Sequence, residues 1–482
     1  MLNIIIDNKI RINPNDLDKE VVEQLLQLFT FNNPIYNKAK AMKFYVEKSG
    51  RKYKGPSTRG KAKEIKGGKL FENELILPRG GIAVVLEYFN TIKQPYKIIN
   101  KTRLLPPIDF QFQGTLWEAQ IPAVQNMLSR KFSTICAPTG SGKTVMGIYT
   151  IAYRKQPTII AVHTKELMEQ WAGQIAGSKK YKALLDVEPH EIGYIGDNKK
   201  DFIGKKITIA MIQTLHGCAK EVAPHYGYFL MDELHHVPAR TFRGSVEPFD
   251  CVFMGGLSAT HKRGDGLQPM IYWFLGPLVH TVPLNKLVKE GKVLLVEPHI
   301  KQTSFWPPDD QYDRPKLITA LIEDEKRNKQ IVQDIIKEVQ NTGGPCVVLT
   351  ERKIHCETLA NLINEKKVTA AVIHSDIQNR KEVLVDLYED KIKVIVATGT
   401  ILGEGFDENR LSALFLATPI SFSERLVQYL GRVGRAAEGK TGAKVYDYHD
   451  INCDIIMKSA MARMKVYRKL AKQAKEPIKK IK

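Results

Sequence analysis

The chain lacks paired cysteines. Its six, at positions 136, 218, 251, 346, 356 and 453, include no Cys-x-x-Cys, so neither a zinc ribbon nor a disulfide framework is indicated and reduced, mostly buried thiols are expected. Long apolar runs are missing too. The longest apolar stretch without a charged side chain, Leu267 to Asn285, carries Pro269, Pro277 and Pro283, which would break a spanning helix. The opening residues, MLNIIIDNKIRINPND, bring in acids and Asn too early for a signal peptide's apolar core. A cytoplasmic location without a membrane partner is expected. There is no internal repeat and no His-Glu-x-x-His, which disfavours a zinc site.

Acidic residues are in deficit: 52 Asp and Glu against 72 Lys and Arg leave a formal charge of +20. The excess is uneven. Lys38 to Lys69 holds 12 basic residues against Glu47 and Glu64, and Ile455 to Lys482 holds 10 against Glu476. Nearly all the excess sits in these two segments, and the other 422 residues are almost balanced. Two basic flanks around an ordinary solvated middle imply a polyanionic partner. Tyr36, Phe44, Tyr45 and Tyr53 interleave the first basic run, as aromatic faces do in nucleic-acid grooves; they serve equally well as core. With 482 residues, 43% hydrophobic and 26% charged, the chain has room for two to four globular domains, which excludes a disordered or fibrous protein.

Residues 1–105 read as a small basic α+β domain, with strand-like runs at Asn3–Ile12, Glu74–Leu77 and Ile82–Leu86 and a helix over Leu17–Leu28. The adjacent Pro106 and Pro107 mark a linker. Over 106–285 short apolar runs (STICA, TIIAV, ITIAM, YFLMD, CVFMGGLS) alternate with helical patterns, which predicts a parallel sheet with helices on both faces. The rhythm returns over 286–452 (PCVVLT, TAAVIH, KVIVAT, LSALFLAT, AKVYDY), with the proline-rich Leu287–Pro315 as joint. Over 453–482 a basic helix is expected, with Met457, Met461, Met464 and Leu470 along one side.

Ala137-Pro138-Thr139-Gly140-Ser141-Gly142-Lys143-Thr144 follows an apolar run and opens a helix, as a phosphate loop does. Small residues let backbone N–H groups converge on phosphate oxygens, and the helix N-terminus adds partial positive charge. Lys143 is placed to reach the β and γ phosphates and the Thr144 hydroxyl to ligate Mg²⁺. Alone, the loop leaves kinases, G proteins and motors open. Further on, the strand-like YFLM ends in Asp232 and Glu233. Asp232 is suited to the Mg²⁺ shell, and Glu233 to orienting and deprotonating the attacking water. In Gln428-Tyr429-Leu430-Gly431-Arg432-Val433-Gly434-Arg435, two arginines three apart are expected on one side of a helix turn, where rigid guanidinium forks suit transition-state charge on a γ phosphate.

The ordered set APTGSGKT, MDELHH, Ser258–Thr260 (SAT), Ala397–Asp407 (ATGTILGEGFD) and QYLGRVGR resembles superfamily 2 helicases and translocases over about 106–450. The resemblance implies an α/β fold of two tandem RecA-like domains clamping ATP, behind the small α+β domain and ahead of the basic C-terminal helix. It implies that Ser258 and Thr260 couple hydrolysis to nucleic-acid movement, that Asp407 touches the ribose, and that Gln428, Arg432 and Arg435 reach the phosphates. Gln120, in LWEAQ, matches the family's adenine-reading glutamine; the aromatic usual before it is Ala119 here. Strand-tracking counterparts are His163 and Thr164 with Leu167, Gln213 and Thr214, His374 and Ser375, and Thr398. Leu234 and Gln428 depart from the DEAD-box RNA pattern, and SATHKRGDG is more similar to the DNA-acting branch of XPB, the type III restriction motors and the UvsW-like bacteriophage recombination helicases. The expected activity is ATP- and Mg²⁺-dependent remodelling of branched, forked or duplex DNA. An RNA helicase and an ATP-gated nucleic-acid clamp are the alternatives.

Overall fold

The computed structural model describes residues 1–48, 61–234, 239–260, 265–309, 313–399, 408–420 and 423–475. Met1–Ala137 and Gly142–Val282 form one compact unit; Pro138–Ser141 and Pro283–Lys482 form the other. Among the described residues no helix is long and apolar enough to cross a membrane. None of the six cysteines is in a disulfide and five are buried; burial pushes the thiols of Cys251, Cys346 and Cys356 up to about 12.

The first unit holds a five-stranded and an eight-stranded sheet. In the smaller, Leu2–Ile6 pairs antiparallel with Lys9–Ile12 and parallel with Tyr96–Asn100, and Leu75–Pro78 extends it. Leu2, Ile4 and Ile6 are buried at alternate positions, the period-two pattern of a half-covered strand. Ile82–Leu86, expected as a strand, instead opens the helix Ile82–Thr91, which buries Val85 and Phe89 four apart. β-Branched composition suggests a strand, but burying one helical face decides the outcome.

Arg79 ties the small sheet to the larger one. Buried, it donates to the carbonyls of Asp7 (3.0 Å), Cys251 (2.8 Å) and Phe249 (3.0 Å) and lies 4.8 Å above the Phe132 ring. Burial lowers its pKa to about 10. Gly80, next to it, leaves no room for a side chain: a Cβ would meet the Tyr272 carbonyl oxygen at 2.5 Å.

The larger sheet runs in the order Lys199–Asp201, Ile192–Gly196, Ile207–Met211, Thr158–Val162, Tyr228–Met231, Phe253–Ser258, Phe132–Cys136, Leu278–Thr281. Only the Lys199–Asp201 edge is antiparallel. Phe132–Cys136, Thr158–Val162 and Tyr228–Met231 are buried throughout, as strands covered on both faces must be. Two later strands lie between Phe132–Cys136 and Thr158–Val162, so the chain reverses direction across the sheet. Loops at the carboxyl ends diverge there, where open α/β sheets bind ligands.

The second unit has a six-stranded, all-parallel sheet: Val296–Thr303, Ala443–Asp450, Ala413–Leu416, Cys346–Thr350, Val394–Thr398, Ala370–Ile373. Both units are thus parallel-sheet, RecA-like α/β folds. Val296–Thr303 lies inside the stretch expected to be a joint; its Pro298 is tolerated because this is an edge strand.

The last helix, Asp454–Lys475, buries Ile456, Ala460, Arg463, Val466 and Tyr467. Of the expected stripe, Met464 and Leu470 pack partly buried against the core of the second unit, whereas Met461 is 54% exposed. The fully buried side of the helix also carries an ion pair. Asp447 accepts from Arg463 Nη2 at 2.7 Å and Nε at 2.9 Å, and from the Tyr467 hydroxyl at 3.0 Å. Burial alone would raise the Asp447 pKa, but hydrogen bonds and charge from His449 and Arg463 outweigh it and hold it below the ordinary value. Its stabilisation is therefore complete above the unfolded value of about 3.9 and is lost as pH falls through the depressed folded value. Arg463→Met, which strands a buried carboxylate, should destabilise the second unit by about 3–5 kcal/mol, measured by urea unfolding at pH 7. A loss below about 1 kcal/mol, the worth of an exposed pair, would contradict burial of the pair.

Candidate active site

The buried strand Phe132–Cys136 runs into the loop preceding the helix Lys143–Arg154. Gly140 and Gly142 have φ of +84° and +74°, a left-handed backbone that glycine adopts without cost. A Cβ on Gly142 would also lie 2.3 Å from Gln120 Nε2. The turn delivers the chain to a helix whose first N–H groups have no intrahelical acceptor, which makes an anion cradle. Thr144 is buried in the first turn. Lys143 Nζ donates to the Ala137 carbonyl at 3.4 Å and pairs with Glu233 Oε1 at 3.2 Å. Buried Gln120 abuts this loop while its Oε1 accepts from the Trp117 N–H at 2.8 Å.

Asp232 and Glu233 follow the strand Tyr228–Met231, two strands from the loop. Asp232 is buried; Oδ2 accepts from Trp171 Nε1 and Oδ1 from the Glu233 N–H, both at 2.9 Å. Burial, then the charge of Glu233, pushes its pKa up to about 6. Hard oxygen donors, the Thr144 hydroxyl and the Asp232 carboxylate, suit Mg²⁺ chemically, and a cation there would reverse that shift. Glu233 has φ +48°, a conformation uncommon for a residue with a side chain. Its Oε2 accepts from the Ala259 N–H at 3.3 Å, and Ser258 Oγ donates to the Thr260 carbonyl at 2.7 Å.

The candidate strand-tracking residues of this unit emerge from the same sheet edge. His163 and Thr164 follow Thr158–Val162, Gln213 and Thr214 follow its parallel neighbour Ile207–Met211, and Gln213 Nε2 donates to the His163 carbonyl at 3.2 Å. Thr164 also supports the fold, because its hydroxyl caps the helix Lys165–Ala176 by accepting from the Leu167 N–H.

In the second unit His374 and Ser375 follow Ala370–Ile373 and Thr398 ends the neighbouring Val394–Thr398. His374 is buried and 3.2 Å from Glu357 Oε1; Ser375 Oγ donates to Asp376. Gln428 is buried in the helix Ser423–Val433, and Arg432 lies in its last turn. Arg435 stands beyond the helix end, in a bridge with Val293, and its Nη1 is 3.4 Å from Asn409 Oδ1. The two arginines therefore do not share one helical turn, because Gly434 already leaves the helix as a turn. Asp407, His235 and His236 lie outside the described residues. Sequence reasoning missed Trp171; a Trp seven residues after a helix cap, needing a partner for its N–H once buried, was the available signal.

Residues 113–263 match the family model described as type III restriction enzyme, res subunit, and residues 327–437 match the helicase conserved C-terminal domain. "Probable helicase D10" of Escherichia phage T5 is 27% identical over 77% of this chain and 79% of its own length. A protein of Acanthamoeba polyphaga mimivirus named as an ATP-dependent RNA helicase, L396, is 25% identical over 68% of this chain and 62% of its own length. The crystal structure of T4 UvsW covers 97% of each chain at 17% identity with a TM-score of 0.44.

Proposed function

We propose that this chain, which belongs to the superfamily 2 helicases in the branch of XPB, the type III restriction motors and the UvsW-like phage helicases, is an ATP-driven DNA translocase that remodels branched or forked duplexes. Helicase membership brings ATP, a divalent metal and a nucleic acid with it. The finer choice of DNA is supported by the type III restriction match over 113–263; the two strongly basic flanks support a nucleic-acid partner of either kind.

In this reading Lys143 and the loop Pro138–Gly142 hold the phosphates, Thr144 and Asp232 hold the Mg²⁺ shell, and Gln120 and Asp407 hold the base and ribose. Mg²⁺ held by Thr144 and Asp232 would supply neutralisation of the charge that develops on the phosphates. Glu233 orients and deprotonates the attacking water. Its pairing with Lys143 gives a release step: phosphates drawn to Lys143 replace the carboxylate, which is freed for water. The Ala259 N–H on Glu233 joins that carboxylate to the Ser258–Thr260 segment, so hydrolysis alters a backbone that also carries the coupling residues. Gln428, Arg432 and Arg435 contribute from the second domain. His163, Thr164, Gln213, Thr214, His374, Ser375 and Thr398 hold the strand, and the small N-terminal domain grips duplex.

The test is steady-state ATP turnover by the full chain without nucleic acid, then with single-stranded, duplex, forked and four-way DNA and with duplex RNA. Forked or four-way DNA should stimulate most, and stimulation should fall with salt, the binding slope being about −0.9 per neutralised phosphate. Stronger stimulation by RNA would move the assignment to an RNA helicase.

A further inference from the structure

We propose that Trp171 is a positioning residue that fixes the metal-holding carboxylate of Asp232 and ties it to the helix that begins at the strand-tracking Thr164. The inference rests on the reading of Asp232 given above. Trp171 is completely buried, and its one polar atom, Nε1, donates to Asp232 Oδ2 at 2.9 Å. With Oδ1 taken by the Glu233 N–H, each oxygen of the carboxylate has one fixed donor and one lone pair left for a metal or its water. The Asp232 rotamer is thereby set before any metal arrives.

Two further contacts make Trp171 more than a second donor. Its ring fills the space beside the phosphate-loop helix: a Cβ on Gly147 would come within 2.6 Å of Trp171 Cη2. Trp171 also lies two helical turns after the Thr164 cap, so one rigid helix carries a strand-tracking hydroxyl at its start and the Asp232 donor in its middle. Lys165, the first residue of that helix, is held at the same end by Asp197 at 2.5 Å. A phosphate bound at Thr164 and Lys165 that shifts this helix along its axis moves Trp171 Nε1 with it. The indole then changes the Asp232 geometry without any contact between strand and metal.

The experiment replaces Trp171 by Phe and, because Phe leaves a gap, also by benzothienylalanine, which keeps the two-ring shape and substitutes sulfur for the N–H. Three quantities are read on the full chain: the Mn²⁺ affinity of the ADP complex by electron paramagnetic resonance, the half-saturating Mg²⁺ for basal ATP turnover, and the melting temperature. Loss of a hydrogen-bonding partner behind a metal ligand typically weakens metal affinity or activity about 10- to 100-fold. Both variants should therefore show Mn²⁺ affinity and Mg²⁺ response weakened about 10-fold, and the benzothienyl variant should melt as the parent does. Basal turnover and Mn²⁺ binding need no nucleic acid, so they test Trp171 even if DNA fails to stimulate the parent; that failure would count against the DNA-motor reading alone. Parental metal affinity in the benzothienyl variant would overturn the proposal and leave Trp171 as packing. The helix link has its own readout: the fold-stimulation by nucleic acid should drop in the benzothienyl variant at saturating Mg²⁺, and an unchanged ratio would refute that half.

Discussion

Glu233→Gln should hold ATP as tightly as the parent chain or more tightly, and hydrolyse it about 10² to 10⁴ times more slowly, the range general-base catalysis supplies. The substitution keeps the shape and the oxygen that accepts from the Ala259 N–H, but an amide cannot take a proton from water. The backbone at φ +48° gains no new strain, since Glu and Gln face the same steric cost there. Binding is expected to improve slightly because Lys143 loses its charged partner and meets the phosphates without first breaking an ion pair. Filter binding of labelled ATP and single-turnover hydrolysis separate the two effects. Lys143→Ala should give the opposite division, losing affinity along with turnover. Normal hydrolysis by Glu233→Gln would show that another group activates the water.

Much of the fold is legible because its central strands are covered on both faces and so read as continuous apolar runs. STICA, TIIAV, ITIAM and CVVLT all form strands of parallel sheets. Reading fails where one-sided burial decides the outcome. Val296–Thr303, VEPHIKQT, is a half-exposed edge whose neighbour supplies the pairing, so its own sequence shows no strand pattern. Ile82–Leu86 is β-branched yet helical because Val85 and Phe89 need the same face. At the site, Lys143, Thr144, Asp232 and Glu233 are visible because phosphate loops and strand-end acids are local in sequence. Contacts such as Trp171 to Asp232, 61 residues apart, or Glu233 to Ala259, 26 apart, depend on which strands become neighbours, and no spacing rule in one sequence encodes that. Arg463 escapes sequence reading for the same reason: a basic residue on a basic helix belongs to the core only because Asp447 waits there.

Arg435→Ala and Arg432→Ala should each lower ATP turnover about 10³- to 10⁵-fold, the worth of an arginine placed on a γ phosphate at the transition state, while ATP affinity changes only a few-fold. The loss falls on turnover because the charge these guanidinium groups meet grows as the phosphoryl group leaves. The two positions are not equivalent in their supports. Arg432 is carried by a helix whose buried Tyr429 hydroxyl bonds the Gly399 carbonyl, so its backbone is fixed by the strand that ends at Thr398. Arg435 lies past the helix end, where its backbone bridges Val293 and its Nη1 lies 3.4 Å from Asn409 Oδ1. Lysine at either position should recover little, because a point charge cannot make the two parallel bonds of a guanidinium fork. If both arginines act on one transition state, the double variant should be scarcely worse than the poorer single one, as groups that work as a unit are strongly non-additive. Additive losses would instead assign them to separate steps, one to hydrolysis and the other to the movement that follows. Single-turnover hydrolysis measured beside strand displacement distinguishes these outcomes: an arginine needed only for movement would leave the first intact and abolish the second.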